Sequence, residues 1–175
     1  MATYKIDPSH SEIQFKVKHM MITNVNGQFT QFDGSLTADA ADFSDAQINF
    51  EAAIDSINTH NEQRDAHLKS EDFFNAAEFP KLTFVSSSFK KITDEQYQLN
   101  GVLTIRGISK PVVLDVEYGG TMTDPWGQVK AGFEINGKIS RKEFDLKWNA
   151  VTEAGGVVVA DEIKLHLGVQ LVKQG

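Results

Sequence analysis

The chain contains no cysteine, so disulfides, thiolate metal sites and thiol nucleophiles are all excluded, and nothing in it depends on an oxidising compartment. Proline is scarce, at 4 residues in 175, which leaves long stretches free to form unbroken strands. Positive charge is in deficit: 17 Lys and Arg against 24 Asp and Glu give a formal net charge of −7, without any basic run. A partner held by its phosphates wants a basic face, so nucleic acid is excluded. No apolar run is long enough to span a membrane, and the start, Met1-Ala2-Thr3-Tyr4-Lys5-Ile6-Asp7, has no signal-peptide pattern. The expected compartment is the cytoplasm, or the periplasm if an export signal has been trimmed. What is present is 41% apolar and 23% charged residues, enough for a real core in a single domain over residues 1–175.

Alternation of period two runs from end to end. Ile13, Phe15 and Val17 share one face against Glu12, Gln14 and Lys16. Ala46, Ile48, Phe50, Ala52 and Ile54 repeat the pattern, as do Tyr97 to Ile105, Val112 to Tyr118, Val129 to Ile139 and Ile163 to Leu171. Between Phe29 and Phe32 the phase slips, which predicts a bulge near Thr30-Gln31. Turn signals stand at Asp7-Pro8-Ser9, Asn26-Gly27, Gly119-Gly120, Asp124-Pro125-Trp126-Gly127 and Gly155-Gly156. Strands joined by such short turns pair antiparallel.

The exception is a short helical insert at about residues 60–76. Thr59 with Glu62 predicts a capping box ahead of Gln63-Arg64-Asp65-Ala66-His67-Leu68, and Ser70-Glu71-Asp72 caps a further turn presenting Phe73 and Phe74. This is too little helix to cover an open sheet. Long strands and the need to hide sheet edges favour an extended antiparallel β-barrel over a sandwich. The fold class is therefore all-β. A small barrel is either filled by its own side chains or holds one ligand. The small inward residues, such as Gly101, Ala131 and Gly137, serve either reading: room for a ligand, or bending points in the strands.

The segments Tyr4-Lys5-Ile6-Asp7-Pro8-Ser9-His10-Ser11, Phe15-Lys16-Val17-Lys18-His19 and Gly27-Gln28-Phe29 resemble the YceI-like family. So do Ser56-Ile57-Asn58-Thr59, Arg64-Asp65-Ala66-His67-Leu68, Asp72-Phe73-Phe74 and Phe79-Pro80. The likeness continues through Gly101-Val102-Leu103-Thr104-Ile105-Arg106-Gly107, Lys110-Pro111-Val112 and Ile139-Ser140-Arg141-Lys142-Glu143-Phe144. The pieces keep the family's order over nearly the whole chain. Asp145 departs from it, since glycine is usual there. The resemblance implies a lipocalin-like barrel around an apolar tunnel that binds a polyisoprenoid or another long amphiphile, and a homodimer. An isoprenoid quinone, a prenyl phosphate or a fatty amide fits that class.

An isoprenoid tail makes no directional bonds, so its affinity comes from buried area, at about 25 cal/mol per Å². The candidate contacts are the inward Phe15, Val17, Phe29, Phe32, Phe50, Phe84, Leu103 and Phe133, for any one of which plain core is the commoner reading; Phe73 and Phe74 follow the helix and line or plug one end. A charged head group needs donors near a mouth. Arg64 and His67 lie three apart on the helix and face one way, and Arg141 is expected to converge with them. The plainer alternative pairs Arg64 or Arg141 with Asp65, Asp72 or Glu143 to tie the insert down. His19 falls on the inward parity, as a core histidine or a ligand contact. The histidines show no zinc spacing, and no cofactor or metal is expected.

Three functions follow: a non-catalytic lipid carrier, a lipid-modifying enzyme using Arg64, Asp65 and His67, or a filled barrel serving as a stress-response or interaction module. No nucleophile elbow, phosphate-cradling loop or paired-carboxylate motif supports the second. The outward faces read as polar, without an apolar docking stripe.

Overall fold

A computed structural model describes residues 1–20, 22–146 and 159–175. Among these residues eleven strands form one sheet. They are β1 (Ala2–Ile6), β2 (Glu12–His19), β3 (Thr23–Phe29), β4 (Phe32–Ala38), β5 (Gln47–Ala53), β6 (Ile57–Asn58), β7 (Lys81–Lys91), β8 (Gln96–Ile105), β9 (Ile108–Thr123), β10 (Val129–Ser140) and β11 (Val159–Gln174). Among the described residues there is one α-helix, α1 (Glu62–Lys69), which precedes β7.

Three pairs of strands are single staves with a kink. β1 and β2 flank the 3-10 turn Pro8–His10, and β5 and β6 flank another at Ile54–Ser56. β3 and β4 break at Thr30-Gln31, where Thr30 N–H donates to the Ser56 carbonyl and Ala53 N–H to that of Gln31. The predicted phase slip is thus one corner shared by two neighbouring staves. Counted this way, the sheet is an eight-stave, up-and-down antiparallel barrel. β11 closes it, pairing with β10 on one side and with both β1 and β2 on the other. The sixteen residues of β11 span roughly 50 Å at ~3.3 Å each, so with the usual tilt the barrel stands about 40 Å tall.

Two sequence-read turns are strand interior. Asn26-Gly27 lies within β3, and the glycine is needed for space: Phe15 sits directly opposite, and a Cβ at Gly27 would lie 2.3 Å from its ring. Gly119-Gly120 lies within β9 at a register shift opposite Gly132-Phe133. The hairpin between β8 and β9 turns instead on Arg106 and Gly107, both at positive φ (52° and 74°), as a two-residue type I′ turn requires. Asp124-Pro125-Trp126-Gly127 does turn, held by Asp124, which accepts from the N–H groups of Trp126 and Gln128. Gly155-Gly156 lies outside the described residues.

The helix starts two residues later than a Thr59 capping box would have it. Asn61 is the N-cap, accepting from Arg64 N–H, while Thr59 is turned toward Asp65 and Arg64. The outward faces also differ from expectation. Val85 on β7 opposes Val102 on β8, which opposes Pro111 on β9, and Val113 follows; the three valines are 53%, 41% and 54% exposed.

Gly101 is the glycine whose Cβ position a neighbouring backbone approaches most closely. A Cβ there would meet Phe84 Cζ at 2.4 Å and the Val85 carbonyl oxygen at 2.6 Å, and the latter belongs to the backbone of the paired strand. Gly101→Ala is expected to cost ~2–3 kcal/mol by overpacking, lowering Tm by roughly 5–10 °C. Gly132→Ala, with nothing within 4 Å of the added Cβ, stays within about 1 kcal/mol. Equal shifts for the two variants in thermal denaturation would refute this account of the wall.

Candidate functional site

The inward faces do not fill the barrel. A cavity of about 210 Å³ runs between the staves, lined by residues from β1–β5 and β7–β11 and by Leu68, Phe73 and Phe74 from the helical insert. Ile163, Leu165, Leu167 and Val169 of β11 line this space and are half-buried; Leu171 lines it too and is buried. Apart from Arg141, no charged residue lines the cavity among the described residues.

One end is stoppered by aromatic rings. The loop 39–46 folds Phe43 inward at φ 63°, where it meets Tyr4, Tyr118 and Phe133 at centroid distances of 5.4–5.6 Å. Phe89 stacks on Tyr97 beside them at 4.6 Å. Asp45 ties off the loop by accepting from the N–H groups of Asp39 and Ala40, and the Tyr97 hydroxyl donates to the Asp42 carbonyl. The left-handed Phe43 costs on the order of 1–2 kcal/mol, which burial of its ring offsets.

The other end carries α1. Leu68, Phe73 and Phe74 roof the cavity, with Phe74 edge-on to Phe29 at 6.2 Å. Arg106, from the β8–β9 turn, clamps this roof: its Nη1 donates to the carbonyls of Glu71 and Phe73, both at 2.7 Å.

Of the residues read from sequence, Phe15, Val17, Phe29, Phe50, Phe73, Phe74, Phe84, Leu103, Phe133 and Arg141 lie in the cavity lining. Four do not. Phe32 is half-buried against Phe50, and His19 sits at the last pair of the β2 ladder, opposite Thr23 and Val159. Arg64 donates through Nε and Nη2 to the hydroxyl and carbonyl of Thr59, at 2.8 and 2.6 Å. Asp65 accepts from the same threonine, and His67 pairs with Asp72 at 2.8 Å. These polar side chains fasten the insert, and neither Arg64, Asp65 nor His67 faces the cavity. Among the described residues no three His, Asp or Glu side chains cluster as a metal site, and no helix is long and apolar enough to cross a membrane.

Arg141 is separate from Arg64 and His67. It begins the 3-10 turn Arg141–Phe144 that follows β10, is 2% exposed, and donates to the carbonyls of Leu146, Ala160 and Val159. No ion pair with Asp65, Asp72 or Glu143 is seen, and among the described residues the acid that acts on it is Asp161. Burial pulls the guanidinium below its ordinary pKa and Asp161 opposes that. Asp161 accepts from Ser140 Oγ at 2.6 Å and Lys142 N–H at 3.0 Å. Burial pushes its carboxyl up, but these bonds, with Lys142 and Arg141 close by, outweigh it and hold the pKa below the usual carboxylate value. Asp145 closes the turn at φ 62°, which explains why glycine suits that place.

Sequence reasoning passed over Leu68 and the β11 stripe Ile163, Leu165, Leu167 and Val169 as site residues by concentrating on aromatics. The signal was there, since the stripe alternates without fault. Phe43 had no such signal, because it enters from a loop.

A closed up-and-down barrel around an apolar space is the architecture of the lipocalin-like barrels. The chain belongs to the YceI-like family: residues 4–171 match the YceI-like domain. Protein YceI of Salmonella newport is 38% identical over 175 residues, covering 99% of this chain and 88% of that protein. The crystal structure of the Campylobacter jejuni YceI protein superposes with a TM-score of 0.77 at 35% identity, over 90% of each chain. A polyisoprenoid-binding domain from Saccharophagus degradans shares the fold, with a TM-score of 0.68 at 12% identity over 98% of each chain.

Two outcomes test the Arg141 turn. Arg141→Lys keeps the charge but loses the fork that serves three carbonyls, and is expected to cost at least ~3 kcal/mol in urea unfolding. A loss under about 1 kcal/mol would show that the fork does not hold the turn. Because Asp161 has a folded pKa below its unfolded one, its contribution is present above about pH 4 and lost as pH falls through the folded value. Asp161→Asn should therefore flatten the acid limb of a stability-against-pH curve. An unchanged limb would assign acid lability to other carboxylates.

Proposed function

We propose that this protein is a non-catalytic carrier that holds one long apolar or amphiphilic chain, of the polyisoprenoid class, inside the barrel. The observation that carries this reading is the continuous apolar cavity. At ~30 Å³ for each group's share of liquid volume, about 210 Å³ accommodates roughly seven groups of methylene size with the side chains as they stand. At ~0.8 kcal/mol per buried CH₂, those groups gain about 6 kcal/mol gross. Ordering and immobilisation remove several kcal/mol, so tight binding requires the lining side chains to move aside for a longer chain, and a strongly polar ligand gains less still. The polyisoprenoid-binding domain of the same fold supports this class of occupant. Arg64 and His67 are engaged elsewhere, so the tail and not a charged head supplies the affinity.

Protein purified without detergent and extracted with organic solvent should yield a long-chain isoprenoid or related lipid by mass spectrometry, at close to one chain per barrel. Leu167→Trp fills the cavity from β11 and is expected to weaken uptake of added isoprenoid by at least about tenfold, at a stability cost of ~1–3 kcal/mol. If the folded tryptophan variant binds as tightly as the parent, the ligand is not in the barrel. Extracts empty of lipid, together with no uptake of added isoprenoid, would end the proposal.

A further inference from the structure

We infer that the ligand enters and leaves sideways, through a seam in the barrel wall between β9 and β10, not through either end. This rests on the reading of the interior as a ligand site. The β9–β10 ladder runs from Val129↔Thr123 to Asn136↔Asp115 and stops there. Both strands nevertheless go on. β9 remains paired with β8 back to Ile108, and β10 with β11 as far as Ser140. Toward the helical end the two strands are thus held by their outer neighbours and not by each other.

The sequence favours the split. Pro111 brings no N–H to this part of β9. Gly137 leaves room for Leu114 to lie across it, since a Cβ there would be 2.3 Å from Leu114 Cδ2. Outside the split is a surface groove lined by Pro111, Val113, Lys138, Glu143 and Phe144, among others. Val112 and Ile139 line this groove and the interior cavity alike. Between water and the cavity, the wall is therefore formed here by side chains, not by a hydrogen-bonded ladder. Parting strands elsewhere in the intact ladders breaks main-chain bonds, whereas here rotation of Val112 and Ile139 suffices.

The banks of the groove differ. On the β9 side the exposed Val113 and Pro111 continue into Val102 and Val85, an apolar approach. On the β10 side stand Lys138, Glu143 and Glu162. An amphiphile can lay its tail along the first bank and keep its polar end on the second. Both ends of the barrel, by contrast, are closed by pinned elements: the Phe43 loop, and the insert under the Arg106 clamp.

The absence of cysteine makes a direct test available. Val113→Cys with Lys138→Cys places thiols on either side of the seam, for bridging by a reducible bis-maleimide. Glu117→Cys with Glu134→Cys does the same across a pair where the ladder is intact, as the control. Stopped-flow fluorescence with cis-parinaric acid reads uptake and release. Bridging the seam should slow both by at least about tenfold, leave Kd unchanged and be reversed by reduction, while the control bridge changes neither rate. Val112→Ala should speed both rates in the cysteine-free chain. Equal rates with the seam bridged and reduced would overturn the seam and leave the interior site standing. No uptake by the reduced protein or the parent would remove the interior site, and the seam with it.

Discussion

Closure of the sheet by β11 is the constraint on which the rest depends. The residues of β11 pair with β10 along one edge and with β1 and β2 along the other, so every stave has a neighbour on both sides. An open sheet would leave edge N–H and C=O groups unpaired and an apolar face wet. Once the sheet is shut, strict alternation sends every second side chain to a common axis. The stave number then fixes the width of what they enclose. With eight staves that width is at the limit of what side chains can fill. Small changes in inward side-chain size decide between a solid core and a hollow one.

The hollow has a cost in stability. At ~24 cal/mol per Å³, leaving about 210 Å³ unfilled forgoes on the order of 5 kcal/mol of packing. The barrel compensates at its ends. Phe43, Tyr4, Phe89, Tyr97, Tyr118 and Phe133 form an aromatic stopper at one, and the Arg106 and Arg141 guanidinium groups tie main-chain carbonyls at the other. A bound chain would restore part of the missing contact and stabilise the folded state by mass action. In the proposed carrier, occupancy and stability are therefore one equilibrium.

Much of this was legible in the residue order. Period-two alternation identified the staves, and the slip between Phe29 and Phe32 located a corner, because both depend only on neighbours along the chain. Asn26-Gly27 misled for a physical reason: the pair looks like a turn, but the glycine answers to the Phe15 ring on the next strand. Arg64 and His67 share a helix face as spacing requires, yet that face meets Thr59 and Asp72, not the cavity. Spacing on one element shows which residues look the same way. It does not show what they look at. Phe43 and Arg141 were hardest to place, since each acts through a turn whose partners lie far off in sequence.

The placement of charge bears on what a carrier of this kind can distinguish. Arg141 is the charged residue of the described lining, and the donors seen on it serve the carbonyls of Leu146, Ala160 and Val159. In the proposed carrier, a lining otherwise uncharged among the described residues would select by volume and shape. Selection of that kind is shallow: a methylene more or less is worth about 1–3 kcal/mol in an apolar pocket. In the proposed carrier the stopper and the roof would limit how long a chain fits, and Phe15, Phe50 and Phe133 how bulky. Such a protein should accept a class of chains of similar length before it recognises one compound. The net charge of −7 points the same way, because an acidic exterior does not draw anionic head groups toward the barrel.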